Sequence, residues 1–179
     1  MCGPDKSHLL ESSSSYPNFD PHITLASFPS SLAIPLSTIR SALPTFPSPI
    51  AAEFKSVEIG DHFFRSVFLA ITPTDALSAL HQQIHSKLGI DVRTPLFPHL
   101  SLAYIDDEDA QHGEWERFFR SLEDSGKIRR EGEEHAIALN CGGHGADDWL
   151  SGFQATEVLI VDCDGPVERW TVLGRCSIV

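Results

Sequence analysis

Pro21-His22-Ile23-Thr24-Leu25-Ala26 and Pro98-His99-Leu100-Ser101-Leu102-Ala103 are two copies of one hexapeptide, differing only by aliphatic-for-aliphatic and hydroxyl-for-hydroxyl exchanges. Polar and apolar residues alternate in both, which is the period of a β-strand. In a strand, residues i and i+2 point to one face. His22 therefore shares a face with Thr24, and His99 shares one with Ser101. Core packing gives no reason to keep histidine and a hydroxyl at both positions of both copies. The pattern predicts two strands that bring two imidazoles and two hydroxyls to a common polar site.

Each copy is followed by a helix candidate and later by a pair of strands, which predicts two related lobes. The expected fold class is α+β, with antiparallel sheets facing a central cleft and helices outside. Strands are expected at His22–Phe28, Glu53–Ile59, Phe63–Ile71, His99–Tyr104, Ala136–Leu139, Ala155–Val161 and Val167–Leu173. Gly60-Asp61-His62 reads as the turn of the first hairpin, and Asp162-Cys163-Asp164-Gly165-Pro166 as that of the last. Pro35 and Pro44 bracket a short helix. Leu77, Leu80, Ile84 and Leu88 recur at helical spacing between Thr74-Asp75 and Gly89, the clearest helix of the chain. Another spans Gln111 to Ser125, presenting Trp115, Phe118, Phe119 and Leu122. Residues 1–17 read as a flexible, Ser-rich lead-in and 18–179 as the bilobal domain.

Composition narrows the classes. Hydrophobic residues make up 41% and charged residues 21% of the 179 positions, enough apolar material for a globular core. A net charge of -12 argues against holding long nucleic acid through phosphate contacts, yet a small phosphate needs only a few local donors. No apolar run is long enough to cross a bilayer, and no secretory signal is expected, so the expected location is intracellular and cytoplasmic. Cys2, Cys141, Cys163 and Cys176 form no CxxC pair and read as free thiols.

Paired imidazoles suit phosphate chemistry. With an ordinary pKa of about 6.5, one ring can be neutral and the other protonated near pH 7. The neutral ring takes a proton from water while the charged ring gives one to a departing ribose oxygen. Hydroxyls hold the non-bridging oxygens.

The pair His22-Ile23-Thr24-Leu25 and His99-Leu100-Ser101-Leu102 resembles the signature of the 2H phosphoesterase superfamily, in particular its fungal and plant cyclic phosphodiesterase branch. That resemblance implies a bilobal α+β fold and hydrolysis without metal or cofactor. The implied substrates are ADP-ribose 1″,2″-cyclic phosphate, a by-product of tRNA splicing, and nucleoside 2′,3′-cyclic phosphates. It assigns acid–base catalysis to His22 and His99, phosphate binding to Thr24 and Ser101, and a substrate-lining place to Tyr104. In that assignment His99 activates water and His22 protonates the leaving oxygen.

Other residues read more plainly. His144, in the Gly142-Gly143-His144-Gly145 loop, is expected at the surface, and the loop lacks the Lys-Ser/Thr of a P-loop. Phe63, Phe64 and Trp170 could stack on a base, though each reads first as core. Arg65 and Arg169 occupy comparable places in the paired strands. His62, His81, His85 and His112 show no metal spacing, which makes a metal hydrolase the weakest reading. An RNA-end-processing enzyme and a non-catalytic nucleotide-binding module are the alternatives. The expected partner is a small cyclic-phosphate nucleotide or ADP-ribose compound, with no stable protein partner and no membrane.

Overall fold

The computed structural model describes residues 12–94, 96–131, 136–143 and 146–179. It is a mixed α+β fold. The strands are β1 (Ile50–His62), β2 (Arg65–Ile71), β3 (His99–Ala103), β4 (Ile128–Glu131), β5 (Ala136–Asn140), β6 (Trp149–Leu150), β7 (Gly152–Ala155), β8 (Glu157–Asp162) and β9 (Thr171–Ser177). The helices are α1 (Leu36–Ala42), α2 (Asp75–Leu88), α3 (Asp107–Gln111) and α4 (Glu114–Asp124). Three sheets result, with strand orders β3-β2-β1-β7, β4-β5-β6 and β8-β9. The pairs β1–β2, β2–β3, β4–β5, β5–β6 and β8–β9 are antiparallel.

The chain forms two compact units, each assembled from three segments. The first contains 1–23, 53–71 and 99–152, and the second 24–52, 72–98 and 153–179. The two motif copies are not distributed one to a unit. His22, Ile23 and all of β3 belong to the first, whereas Thr24 opens the next segment of the second.

In the first unit, register sorts side chains onto two faces. Opposed residues of an antiparallel pair project the same way. Val57 faces Leu69, Ile59 faces Val67, and Leu69 faces Leu100, giving one apolar face. Helix α4 covers it: Val67, Ala103, Ile105 and Phe118 form a buried cluster, with Val57, Trp115, Phe119 and Leu122 packed around. Burying one such aromatic contributes about 2–3 kcal/mol. The opposite face carries Ser56, Glu58, Phe68, Ala70, His99 and Ser101.

In the second unit, Thr74 caps α2 by accepting from the Leu77 amide at 3.2 Å, and Gly89 ends it at φ 63°. Leu77, Leu80 and Ile84 are buried, as the spacing predicts. Helix α1 meets α2, where Gln83 Nε2 donates to the Ala42 carbonyl at 3.3 Å. The β8–β9 hairpin completes this unit, with Ile178 N donating to Thr156 O at 3.0 Å just past its end.

Several expectations shift. Residues 22–28 form no strand, only an isolated bridge at Ile23. The first hairpin turns at Phe63-Phe64, and Gly60 lies within β1 at a register irregularity. A Cβ on Gly60 would stand 1.6 Å from the Arg65 carbonyl oxygen, so glycine is there for close approach and not for the turn. The expected helix 111–125 is α4, which starts at Glu114, and Gly113 at φ 80° separates it from the short α3. Val167–Arg169 is a 3-10 turn after Pro166, so β9 starts at Thr171.

Candidate active site

The bridge at Ile23 joins the two motifs: Ile23 pairs antiparallel with Leu100. Leu100 points to the apolar face, so Ile23 does too. In extended backbone, alternation would place His22 on the face that carries His99 and Ser101. This juxtaposition lies within the first unit. Thr24 belongs to the second and rests on the motif alone.

His22 is half-buried, and its Nδ1 lies 2.7 Å from the Asp20 carbonyl oxygen. A carbonyl only accepts, so Nδ1 carries the hydrogen and Nε2 is the nitrogen able to take or give a proton. Phe19 meets the His22 ring edge-on at 6.3 Å. His99 is half-buried on β3 with Phe68 edge-on at 5.4 Å. Ser101 is buried, and its hydroxyl donates to the Phe64 carbonyl at 2.8 Å. An incoming phosphate oxygen would compete with that carbonyl for the single hydroxyl hydrogen.

Tyr104, expected to line the substrate, is only 3% exposed. Phe19 stacks on it at 4.0 Å and 12°, and Phe63 and Phe64 meet it at 5.6 and 5.5 Å. The aromatic surface on offer belongs to Phe64, 47% exposed and part of the turn that Ser101 holds. Arg65 is buried and paired with Asp61, and Arg169 is exposed. His144 lies outside the described residues.

Other chemistries find less support. Among the described residues no three His, Cys, Asp or Glu side chains are grouped to hold a metal ion. Cys141, Cys163 and Cys176 are free thiols. Burial, then Asp148, raises the Cys141 pKa, and burial, then Asp162, raises that of Cys163. Neither is an activated nucleophile.

Phe19 and Asp20 went unseen in the sequence. Phe19 acts through contact with Tyr104, far along the chain, and Asp20 through a backbone oxygen; neither leaves a local pattern.

The family model described as cyclic phosphodiesterase-like protein matches residues 6–178. The chain belongs to that family. A 2′,3′-cyclic-nucleotide 3′-phosphodiesterase of Yarrowia lipolytica is 25% identical to this family member, across 88% of this chain and 82% of its own length. The reaction class of this cyclic phosphodiesterase-like protein is accordingly phosphodiester hydrolysis, on the 2H-phosphoesterase type of fold.

Proposed function

We propose that His22 and His99 open a ribose cyclic phosphate, with Ser101 and Thr24 holding its non-bridging oxygens. The substrates are ADP-ribose 1″,2″-cyclic phosphate and nucleoside 2′,3′-cyclic phosphates, and no metal or cofactor takes part. The observation that carries this reading is the Ile23–Leu100 bridge, which supports placing both histidines on one face. The Yarrowia relative, named for 2′,3′-cyclic nucleotides, supports the substrate class.

His99 takes a proton from water as the water oxygen bonds to phosphorus. In the 2′,3′-cyclic nucleotide the P–O3′ bond breaks, and His22 Nε2 delivers its proton to O3′. The product is the nucleoside 2′-phosphate. In the ADP-ribose compound the P–O2″ bond breaks and ADP-ribose 1″-phosphate leaves. One proton is consumed at His22 and one gained at His99, so exchange with water resets the pair. General acid and base groups each contribute roughly 10²–10⁴-fold.

Tyr104 packs against Phe19, Phe63 and Phe64, while the exposed Phe64 offers a surface for the base. No helix among the described residues is long and apolar enough to cross a membrane. Turnover of ADP-ribose 1″,2″-cyclic phosphate and the four 2′,3′-cyclic nucleotides in excess chelator, with products identified by phosphorus NMR, tests the reading. Inactivity on both groups overturns it.

A further inference from the structure

A single bridge does little to fix His22. β3 is the edge strand of its sheet, and residues 22–28 form no ladder along it. What precedes His22 is held far more firmly. Ser15 is buried, its hydroxyl pairing with the buried Asp109 carboxylate and accepting from the Asp106 amide at 2.9 Å. Tyr16 N donates to the Tyr104 carbonyl at 2.8 Å. Its phenol donates to Glu114 Oε1 at 2.6 Å, and Glu114 Oε2 is gripped by Arg117 at 2.7 Å. The Tyr16 ring rests 5.8 Å from that of Phe118. Its φ of 60° is a left-handed conformation that a bulky residue keeps only when its surroundings impose it. All of these residues lie in the first unit.

From this anchorage the chain runs three residues to Phe19. Phe19 stacks flat on Tyr104 and presents its edge relation to His22, while Asp20 orients the His22 ring through Nδ1. Tyr104 directly follows β3, the strand carrying His99 and Ser101. The same tyrosine thus accepts from Tyr16 and carries Phe19, linking the strap to both motifs.

We propose that residues 15–20 form a strap that sets the His22 ring against β3, with Phe19 and Tyr16 as positioning residues for the hydrolysis. The proposal rests on the reading of His22 as a catalytic acid. Its first residues, 15–17, fall in the stretch whose composition suggests a flexible lead-in, and are then required for turnover. Acid–base efficiency depends on sub-ångström placement of the proton donor, whereas binding of the phosphate does not depend on the strap. Loosening it lowers kcat and leaves KM nearly unchanged.

The test uses Phe19→Leu, Phe19→Tyr and Tyr16→Phe in the full chain. Turnover of 2′,3′-cyclic AMP is measured alongside long-range proton–nitrogen spectra of the histidine rings, with His22→Gln identifying the His22 signals. Phe19→Leu should lower kcat at least tenfold, keep KM within twofold, and move the His22 ring nitrogens away from the Nδ1–H tautomer. Phe19→Tyr should restore both readouts. Tyr16→Phe, which removes one oxygen and keeps the ring, should lower kcat at least threefold with the same direction of spectral change. A thermal midpoint that falls while kcat and the His22 signals stay put overturns the proposal, as does a loss of kcat with those signals unmoved. Full turnover by His22→Gln would remove the catalytic reading of His22 and with it the strap's role in hydrolysis, a failure told apart from the others because it appears with the strap unaltered.

Discussion

Ile23 stands opposite Leu100 in an antiparallel bridge, and this one pairing brings two distant copies of a hexapeptide side by side. A shift of one residue in that register would send His22 into the apolar face under α4 and expose Ile23 in its place. Leu100 is buried and Ile23 half-buried beside it, so the packing that holds this pair on the apolar face favours His22 on the opposite one.

Replacing His22 or His99 by alanine should lower kcat by roughly 10²–10⁴-fold each, the contribution expected of one general acid or base. Both rings are half-buried, so the melting temperature should move little. The double variant should be scarcely slower than the worse single one, because in the proposed mechanism the two rings act as a unit. Steady-state kinetics on a 2′,3′-cyclic nucleotide, with unfolding curves for each variant, measures all of this. Additive losses would indicate two independent roles.

Ser101→Ala should show in stability as well as in kinetics. Its hydroxyl donates to the Phe64 carbonyl from a buried position, so alanine removes that bond at a cost of about 1 kcal/mol. The turn at Phe63-Phe64 loses this tie to β3, and in the proposed site the phosphate loses a donor, so KM should rise. A urea titration together with KM separates the effects. Ser101→Thr keeps a hydroxyl and should recover part of both.

Local signals were legible where chemistry and period agreed. Helix α2 has a side-chain cap at Thr74, apolar residues at helical spacing and a left-handed Gly89, all readable in the sequence. The two His-x-hydroxyl motifs were legible for the same reason, as alternation within a few residues. The extent of pairing was not. Alternation in 22–28 says that a strand could form, not that the segment will pair along the β3 edge, which it meets in an isolated bridge at Ile23. β4, Ile128–Glu131, hides behind two arginines, because it pairs with β5 on only one side. Ser15 and Tyr16 sit in a polar stretch expected as a lead-in, yet their partners Asp109 and Glu114 lie in the helical region well over eighty positions on. Their attachment is a tertiary fact with no local signature.

Gly60→Ala tests the close approach of Gly60 to the Arg65 backbone within the first hairpin. A methyl at this position meets the Arg65 backbone oxygen at 1.6 Å, a contact that no side-chain rotation relieves. Overpacking against backbone should cost about 2 kcal/mol or more and disturb β1 beside the Phe63-Phe64 turn. The expected outcome is a lower denaturation midpoint. A turn-only role for Gly60 would instead make alanine nearly neutral.

Acid should weaken the fold through α2. His81 and His85 are buried on its inner side, their ring centroids 4.4 Å apart. His81 Nε2 lies 2.6 Å from Thr94 Oγ1, and its ring stacks on Phe97 at 3.9 Å. Burial, and then repulsion from His85, lowers the His81 pKa below its ordinary 6.5. The unfolded chain therefore binds a proton here at a pH where the folded chain does not. The stabilising difference is whole above pH 6.5 and is lost progressively as pH falls below that value, down to the lowered folded pKa. Urea midpoints at pH 7.5 and pH 5 should differ more for the native chain than for His81→Gln, which cannot titrate and can still reach Thr94. Equal pH sensitivity in the two proteins would move the acid lability to other groups.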